Sequence, residues 1–187
     1  MRLTFRARAA VLALCAAAAS GGCKRKPQPP DVPALIADLQ SEDPEKKGKA
    51  SLALIGVGEP AGPALAEMLK SDNLAYRLTA ASTLFGMGPK GKAAVPALAD
   101  TLSDADRELR IAAAMALESI GPDAAPAVPA LIKALKDKEG LVRQRVAIAL
   151  GNIGPAAQDA IPALVEAGKW DPVRPAVDEA IAKIRAR

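Results

Sequence analysis

The sequence contains no histidine, which removes much of the chemistry by which a chain of 187 residues could act as an enzyme. Without an imidazole there is no histidine general base, no Ser-His or Cys-His nucleophile pair and no histidine metal ligand. Aromatic residues make up only 2% of the chain, so rings on which nucleic-acid bases could stack are scarce as well. We therefore expect a non-enzymatic protein that needs no cofactor and no metal and that does not bind nucleic acid.

Cysteine is also rare, and both copies, Cys15 and Cys23, lie near the N-terminus. Three arginines are followed by an apolar run over residues 9–19 and then by Ser-Gly-Gly. This layout is typical of a secretory signal peptide, and the apolar run is too short to span a bilayer. Residues 1–22 are therefore predicted to be a signal peptide. The alternative is an alanine-rich helix that stays attached.

Cys23 directly follows the small residues of this segment, and the arrangement resembles the lipobox of bacterial lipoproteins. The resemblance implies that Cys23 is acylated and becomes the mature N-terminus. Residues 23–30 then form a lipid anchor and a short proline-rich tether. The alternative is a secreted protein with a free thiol. The resemblance also implies a place in the cell envelope facing the periplasm, and in the sorting pattern of enteric lipoproteins Lys24 in place of an aspartate favours the outer over the inner membrane.

The formal net charge of +4 is an effect of the N-terminus. The signal segment holds three basic residues and no acidic one, and residues 24–26 hold three more basic residues. Residues 27–187 are left with 19 basic and 21 acidic side chains, a net charge of −2. That part lacks the basic surface of a nucleic-acid binder, whereas the triplet beside Cys23 suits anionic lipid headgroups.

The remaining sequence is a fivefold repeat. Val-Pro-Ala-Leu or a close variant recurs with its proline at these positions: Pro33, Pro63, Pro96, Pro129 and Pro162. In the first four units a glycine follows 25 residues after the proline, at Gly58, Gly88, Gly121 and Gly154. Such a fixed period indicates one supersecondary unit copied and stacked into a solenoid.

Each unit is predicted to be two antiparallel helices, here called A and B. In the third unit helix A begins near Pro96, Asp106 is the expected N-cap of helix B, and Gly121 ends helix B. The first unit is expected to have a polar turn over residues 41–49. The last unit has a shorter turn and a charged helix B, which is typical of a capping repeat.

The repeat resembles the short bacterial HEAT-like repeats that are also found in phycobilin lyases. The resemblance rests on the proline near the start of helix A, an acidic turn, an aliphatic-Arg pair (Tyr76-Arg77 in the second unit), alanines, and Ile-Gly. It covers residues 31–187 and implies an all-α fold, an α-solenoid of about five two-helix HEAT-like repeats. We expect this domain to be a monomer.

Three arginines at equivalent positions form a predicted ladder: Arg77, Arg110 and Arg143. They are expected to pair with carboxylates of the turns (Asp72, Asp104, Asp106 and Asp137) and to join neighbouring units. The alternative is a row that binds an acidic partner. A calcium loop at residues 104–108 is disfavoured because the glycine that such a loop requires is missing. A nucleotide-binding glycine loop at residues 56–62 is disfavoured because no strand precedes it.

The face of helix B opposite the buried alanines is expected to line the concave side of the solenoid. We call these residues the inner row, and they are Lys49, Leu52, Gly56, Thr79, Ser82, Gly86, Ala112, Met115, Ser119, Arg145, Ile148 and Asn152. The members from Thr79 onwards, without Gly86, are the predicted contacts for an unidentified protein or peptide partner: Thr79, Ser82, Ala112, Met115, Ser119, Arg145, Ile148 and Asn152.

The sequence thus predicts a membrane-tethered scaffold that binds a partner through its concave face. One alternative is a small-molecule-binding or bilin-lyase-like HEAT-repeat protein. A structural spacer in the periplasm is a third interpretation.

Overall fold

The computed structural model describes residues 31–169 and 171–186. The predicted signal peptide, Cys23 and the proline-rich tether therefore lie outside the described residues. The α-helices of the described part are α1 (Val32–Leu39), α2 (Pro44–Val57), α3 (Gly62–Met68), α4 (Leu74–Met87), α5 (Val95–Thr101), α6 (Arg107–Ile120), α7 (Val128–Ala134), α8 (Gly140–Ile153), α9 (Ile161–Ala167) and α10 (Arg174–Arg185). None of these helices is both long enough and apolar enough to cross a membrane.

The helices pair into five units, in which a short helix A is followed by a longer helix B. The B helices of neighbouring units α4, α6, α8 and α10 pack against each other extensively, whereas neighbouring A helices touch at only a few positions. The more closely spaced layer of a curved stack is its inner layer, so the B helices line the concave side. The predicted α-solenoid of two-helix repeats is confirmed.

Side-chain caps set the start of three B helices. The carboxylate of Asp106 accepts a hydrogen bond of 2.9 Å from the Leu109 N–H at the start of α6, as predicted. Asn73 caps α4 in the same way, with a 2.9 Å bond from Ala75 N–H. In the first unit the predicted turn over residues 41–49 is wrong, because Asp43 caps a helix that already begins at Pro44. Proline is favoured at this first position since no hydrogen bond is lost there.

A glycine with positive φ ends each of the first four B helices, with φ between 55° and 75°. Residues with a side chain are strained at such positive φ values, whereas glycine is not. No prediction was made from the sequence for the residues that follow this glycine. The chain continues as a 3-10 helix over Gly88–Ala94, Gly121–Ala127 and Gly154–Ala160 and runs directly into the next helix A. The last alanine of each segment is fully buried, so these segments belong to the core.

The two ends of the solenoid carry charge where the inner units carry apolar side chains. Helices α2 and α8 are both 14 residues long, so their residues align one to one. At the third position the first unit has exposed Lys46, whereas α6 and α8 bury Leu109 and Val142. In the last unit exposed Asp178 takes the place of buried Ala147. Both end units therefore have polar outer faces.

Candidate functional site

The arginine ladder lies at the edge of the solenoid where helix A turns into helix B. Arg110 donates to both carboxylate oxygens of Asp137 in the next unit, at 2.7 Å from Nε and 3.1 Å from Nη2. Its Nη1 donates to the backbone carbonyls of Asp104 and Ala105 in its own turn. Only 7% of the Arg110 side chain and 10% of the Asp137 side chain are exposed. One guanidinium thus fixes a turn and joins two units.

The other two arginines repeat part of this geometry. Arg77 donates to the Ser71 carbonyl at 2.9 Å and lies 3.5 Å from the Asp104 carboxylate of the next unit. Arg143 donates to the Asp137 carbonyl at 2.7 Å. The carboxylates of Asp72 and Asp106, which the sequence interpretation included as partners, form no ion pair within the described residues. Asp72 instead accepts a hydrogen bond from Arg77 through its backbone carbonyl, and the Asp106 carboxylate accepts one from the Leu109 N–H at the start of α6.

The acidic turn of the third unit is accounted for by these same contacts. Asp104 Oδ1 accepts a 2.9 Å hydrogen bond from the Asp106 N–H, and Asp106 caps α6. Glu108 lies 3.8 Å from Arg107. The described part of the chain shows no cluster of three acidic, cysteine or histidine side chains that could hold a metal ion.

The inner row lies on the concave side and is only partly exposed. Ser82 is exposed, and the other seven predicted partner-binding residues are half-buried. Ala112, Met115 and Ile148 pack partly against the core of the solenoid and leave the rest of their apolar surface uncovered. The structure therefore brings the predicted residues of three consecutive units onto one face.

Most polar members of the inner row are already hydrogen-bonded within the protein. The Thr79 hydroxyl donates to the Ala75 carbonyl at 2.7 Å, and the Ser119 hydroxyl donates to the Ala116 carbonyl at 2.9 Å. Asn152 donates to the Glu118 carbonyl at 3.4 Å and accepts a bond of 3.2 Å from Lys183. Because these polar groups already have partners within the protein, the surface that the inner row offers to another molecule is chiefly apolar.

A polar cluster crosses the inner row between the third and fifth units. The Glu118 carboxylate lies 3.8 Å from Arg145, a distance too long for a hydrogen bond, and only 22% of its side chain is exposed. Its Oε2 atom is buried without a hydrogen-bond donor. Burial raises the pKa of Glu118 above its ordinary value, although the positive charges of Arg145 and Lys183 partly oppose this shift.

We expect Glu118→Gln to raise the melting temperature at pH 7. A carboxyl whose folded pKa is raised makes its stabilising contribution at low pH and loses it as the pH rises through the folded pKa. The neutral amide avoids that loss, so the gain should be present at pH 7 and absent near pH 4. Thermal unfolding at both pH values measures it. A lower melting temperature of the variant at pH 7 would show that the pair with Arg145 outweighs the cost of burial.

Two apolar residues of this face had been left out of the predicted contact set. The side chain of Leu52 is 72% exposed and that of Phe85 is 44% exposed, and both lie on the B helices of the first two units. Phe85 occupies the position that Ile55 and Glu118 occupy in the neighbouring units. A phenylalanine at a position that tolerates a carboxylate elsewhere is the sequence signal that could have identified it.

Solved structures with similar folds include both natural and designed repeat proteins. A chain from the complex of CpcE and CpcF of phycocyanin lyase from Nostoc sp. PCC7120 is 24% identical, with a TM-score of 0.64 over 80% of this chain and 97% of that chain. A designed armadillo repeat protein in complex with the peptide (KR)4 is 17% identical, with a TM-score of 0.63 and 82% of each chain covered. An engineered protein is 26% identical, with a TM-score of 0.54 over 82% of this chain and 79% of that chain.

No curated protein sequence matches the chain. The model of the HEAT repeats, by contrast, matches it twice, over residues 32–118 and 95–183. Together these matches span all five helical pairs, including the arginine ladder and the inner row. The chain belongs to the HEAT-repeat family.

Proposed function

We propose that this protein is a non-enzymatic scaffold that binds a protein or peptide partner through the concave face of its solenoid. The proposal includes a signal peptide over residues 1–22 and a lipid on Cys23 that tethers the domain in the cell envelope. The domain would face the periplasm, with the outer membrane favoured over the inner, and act as a monomer. The end units support the monomer, because exposed Lys46 and Asp178 stand where inner units bury apolar side chains against a neighbouring repeat.

The observation that carries the proposal is the uncovered apolar surface of the inner row. Met115 and Ile148 lie at equivalent positions in consecutive units, and each is only half-buried. Leu52, which is 72% exposed, lies at the same position in the first unit. Apolar side chains aligned along a concave surface suit an extended segment of another protein. Similar solenoids in the solved structures belong to a complex of two proteins and to a complex with a peptide.

Photo-crosslinking in intact cells tests the proposal. A photoreactive amino acid is placed at Met115 or at Ile148, and a matched control is placed at Lys136, which is exposed just beyond α7 on the outer layer. We expect one discrete adduct from each inner-row position and none from Lys136. Equal labelling at all three positions, or no adduct at any, would contradict a concave binding site and favour a spacer.

Binding of a bilin or another small molecule is a second candidate function, which we propose to test because a chain of the phycocyanin lyase complex has a similar fold. At 24% identity this similarity supports the fold alone. A titration of the purified chain with a free bilin separates the two functions, because a bound chromophore changes its absorption spectrum. A saturable spectral change that Met115→Asn abolishes would support the second candidate.

A further inference from the structure

The cations on the concave face are paired with carboxylates of the same protein. Lys49 lies 2.5 Å from Glu45, and Lys183 lies 2.8 Å from Glu179, each along its own helix. Arg145 has Glu118 at 3.8 Å across the joint between α8 and α6. Arg107, at the start of α6, has Glu108 and Glu139 each at 3.8 Å. Each of these four cations, among the described residues, therefore already lies within 4 Å of at least one carboxylate.

This pairing decides what the face can attract. Each cation already has a carboxylate within 4 Å, so a carboxylate or ammonium group of a partner would have to compete with an existing pair. It would also lose its hydration in doing so, and burying a charge that finds no unshared counter-charge is unfavourable. A partner with a strong charge of either sign is poorly matched to such a surface.

The centre of the face carries no charge in the first four units. Along the middle position of the inner row the residues are Leu52, Ser82, Met115 and Ile148. Phe85 and the partly buried Ile55 widen the apolar surface on the first two units. The side chain of Ile55 packs against the backbone of Gly86. It fits there because Gly86 has no Cβ: a Cβ at this position would lie only 2.6 Å from Ile55 Cδ1.

From this arrangement we infer that the partner segment is uncharged and carries aliphatic side chains, and that it binds through apolar contacts independently of salt. The inference rests on the proposed function and names the chemistry of its partner. It also separates this chain from the armadillo protein solved with (KR)4, because the carboxylates named above each already have a cation of this protein within 4 Å.

Methionine methyl NMR of the full-length chain provides the test. Met115 lies in the inner row, whereas Met68 and Met87 are each 4% exposed and serve as internal references. The probes are three octapeptides with blocked ends: (LS)4, (KR)4 and (ED)4. We expect (LS)4 to shift the Met115 methyl signal in a saturable way, with an affinity at least about tenfold higher than that of either charged peptide. Raising NaCl from roughly 50 to 500 mM should leave this affinity unchanged.

Two variants show where the peptide binds. Ile148→Asn should abolish the Met115 shift, and Val165→Asn should leave it intact, because Val165 is exposed on α9 outside the inner row. Tighter binding of a charged peptide, weakened by salt, would overturn the inference, as would the absence of any Met115 shift with (LS)4. A discrete crosslink at Met115 combined with either result would leave the proposed function standing and remove only the partner chemistry.

Discussion

Arg110→Ala is expected to lower the free energy of unfolding by about 3–5 kcal/mol, a large fraction of the stability of a domain of this size. Both the guanidinium and the Asp137 carboxylate are at least 90% buried, and two hydrogen bonds join them. Removing the arginine leaves a buried carboxylate without its counter-charge and two turn carbonyls without their donor. Urea denaturation at pH 7 measures the loss.

Arg77→Ala is the matched control, because Arg77 holds the same position one unit earlier. Its guanidinium approaches Asp104 to only 3.5 Å, and both side chains are more exposed, at 19% and 23%. We expect this variant to lose clearly less stability than Arg110→Ala. Equal losses of unfolding free energy for the two variants would show that the stabilisation comes from the arginine contacts to the backbone carbonyls, and not from the ion pair with Asp137.

The pH dependence of the Arg110→Ala effect follows from Asp137. Desolvation acts to raise the pKa of Asp137, but hydrogen bonds from Arg110 and from the Glu139 N–H outweigh it, so the pKa is lowered. An acid with a lowered folded pKa gives stability that is present above its unfolded value of about 3.9 and lost as the pH falls through the folded value. The difference between wild type and variant should therefore shrink below about pH 4.

The repeat period allowed the architecture to be predicted because every unit repeats the same signals. Asp106 as a cap and Gly121 as a helix end each depend on one or two neighbouring residues, and such local effects can be read from a sequence. The 3-10 segments that follow the helix-ending glycines were not predicted. Nothing local shows that the following alanines are buried by the adjacent units.

The site was predictable only in part, for a similar reason. Helical spacing places Met115 and Ile148 on one face, but it does not tell which charges on that face are paired. Glu118 and Arg145 are 27 residues apart in sequence and lie on different helices, so the distance between them depends on how α6 and α8 pack. The contact between Arg110 and Asp137 depends on the same packing. The repeat spacing therefore predicted that Arg110 pairs with a carboxylate of a turn, but not that this carboxylate belongs to Asp137.

Gly151 is the position where the close packing of the last unit can be tested. This glycine is buried in α8, and a Cβ placed on it would lie 2.9 Å from the Ala180 Cα and 3.2 Å from the Ala180 Cβ of α10. A backbone atom cannot move aside as a flexible side chain can. Gly151→Ala should therefore lower the free energy of unfolding by about 1–3 kcal/mol, even though alanine is the better helix former by about 1 kcal/mol.

Gly48→Ala provides a control with the opposite sign. Gly48 lies inside α2, and nothing stands within 4 Å of the position that its Cβ would take. The gain in helix propensity acts there without a steric cost, so the variant should be more stable by about 0.5–1 kcal/mol. A stabilising effect of both substitutions would contradict the close approach of α8 and α10.

Hydrogen exchange shows where the Gly151→Ala effect is located. Each unit of a solenoid contacts only its neighbours, so a clash between α8 and α10 should loosen the last unit first. We expect the amides of α10 to lose protection in this variant while those of α4 keep it. Uniform loss along the whole chain would instead mean that the five units unfold as one cooperative block, and that α10 is as essential to the stack as the central helices.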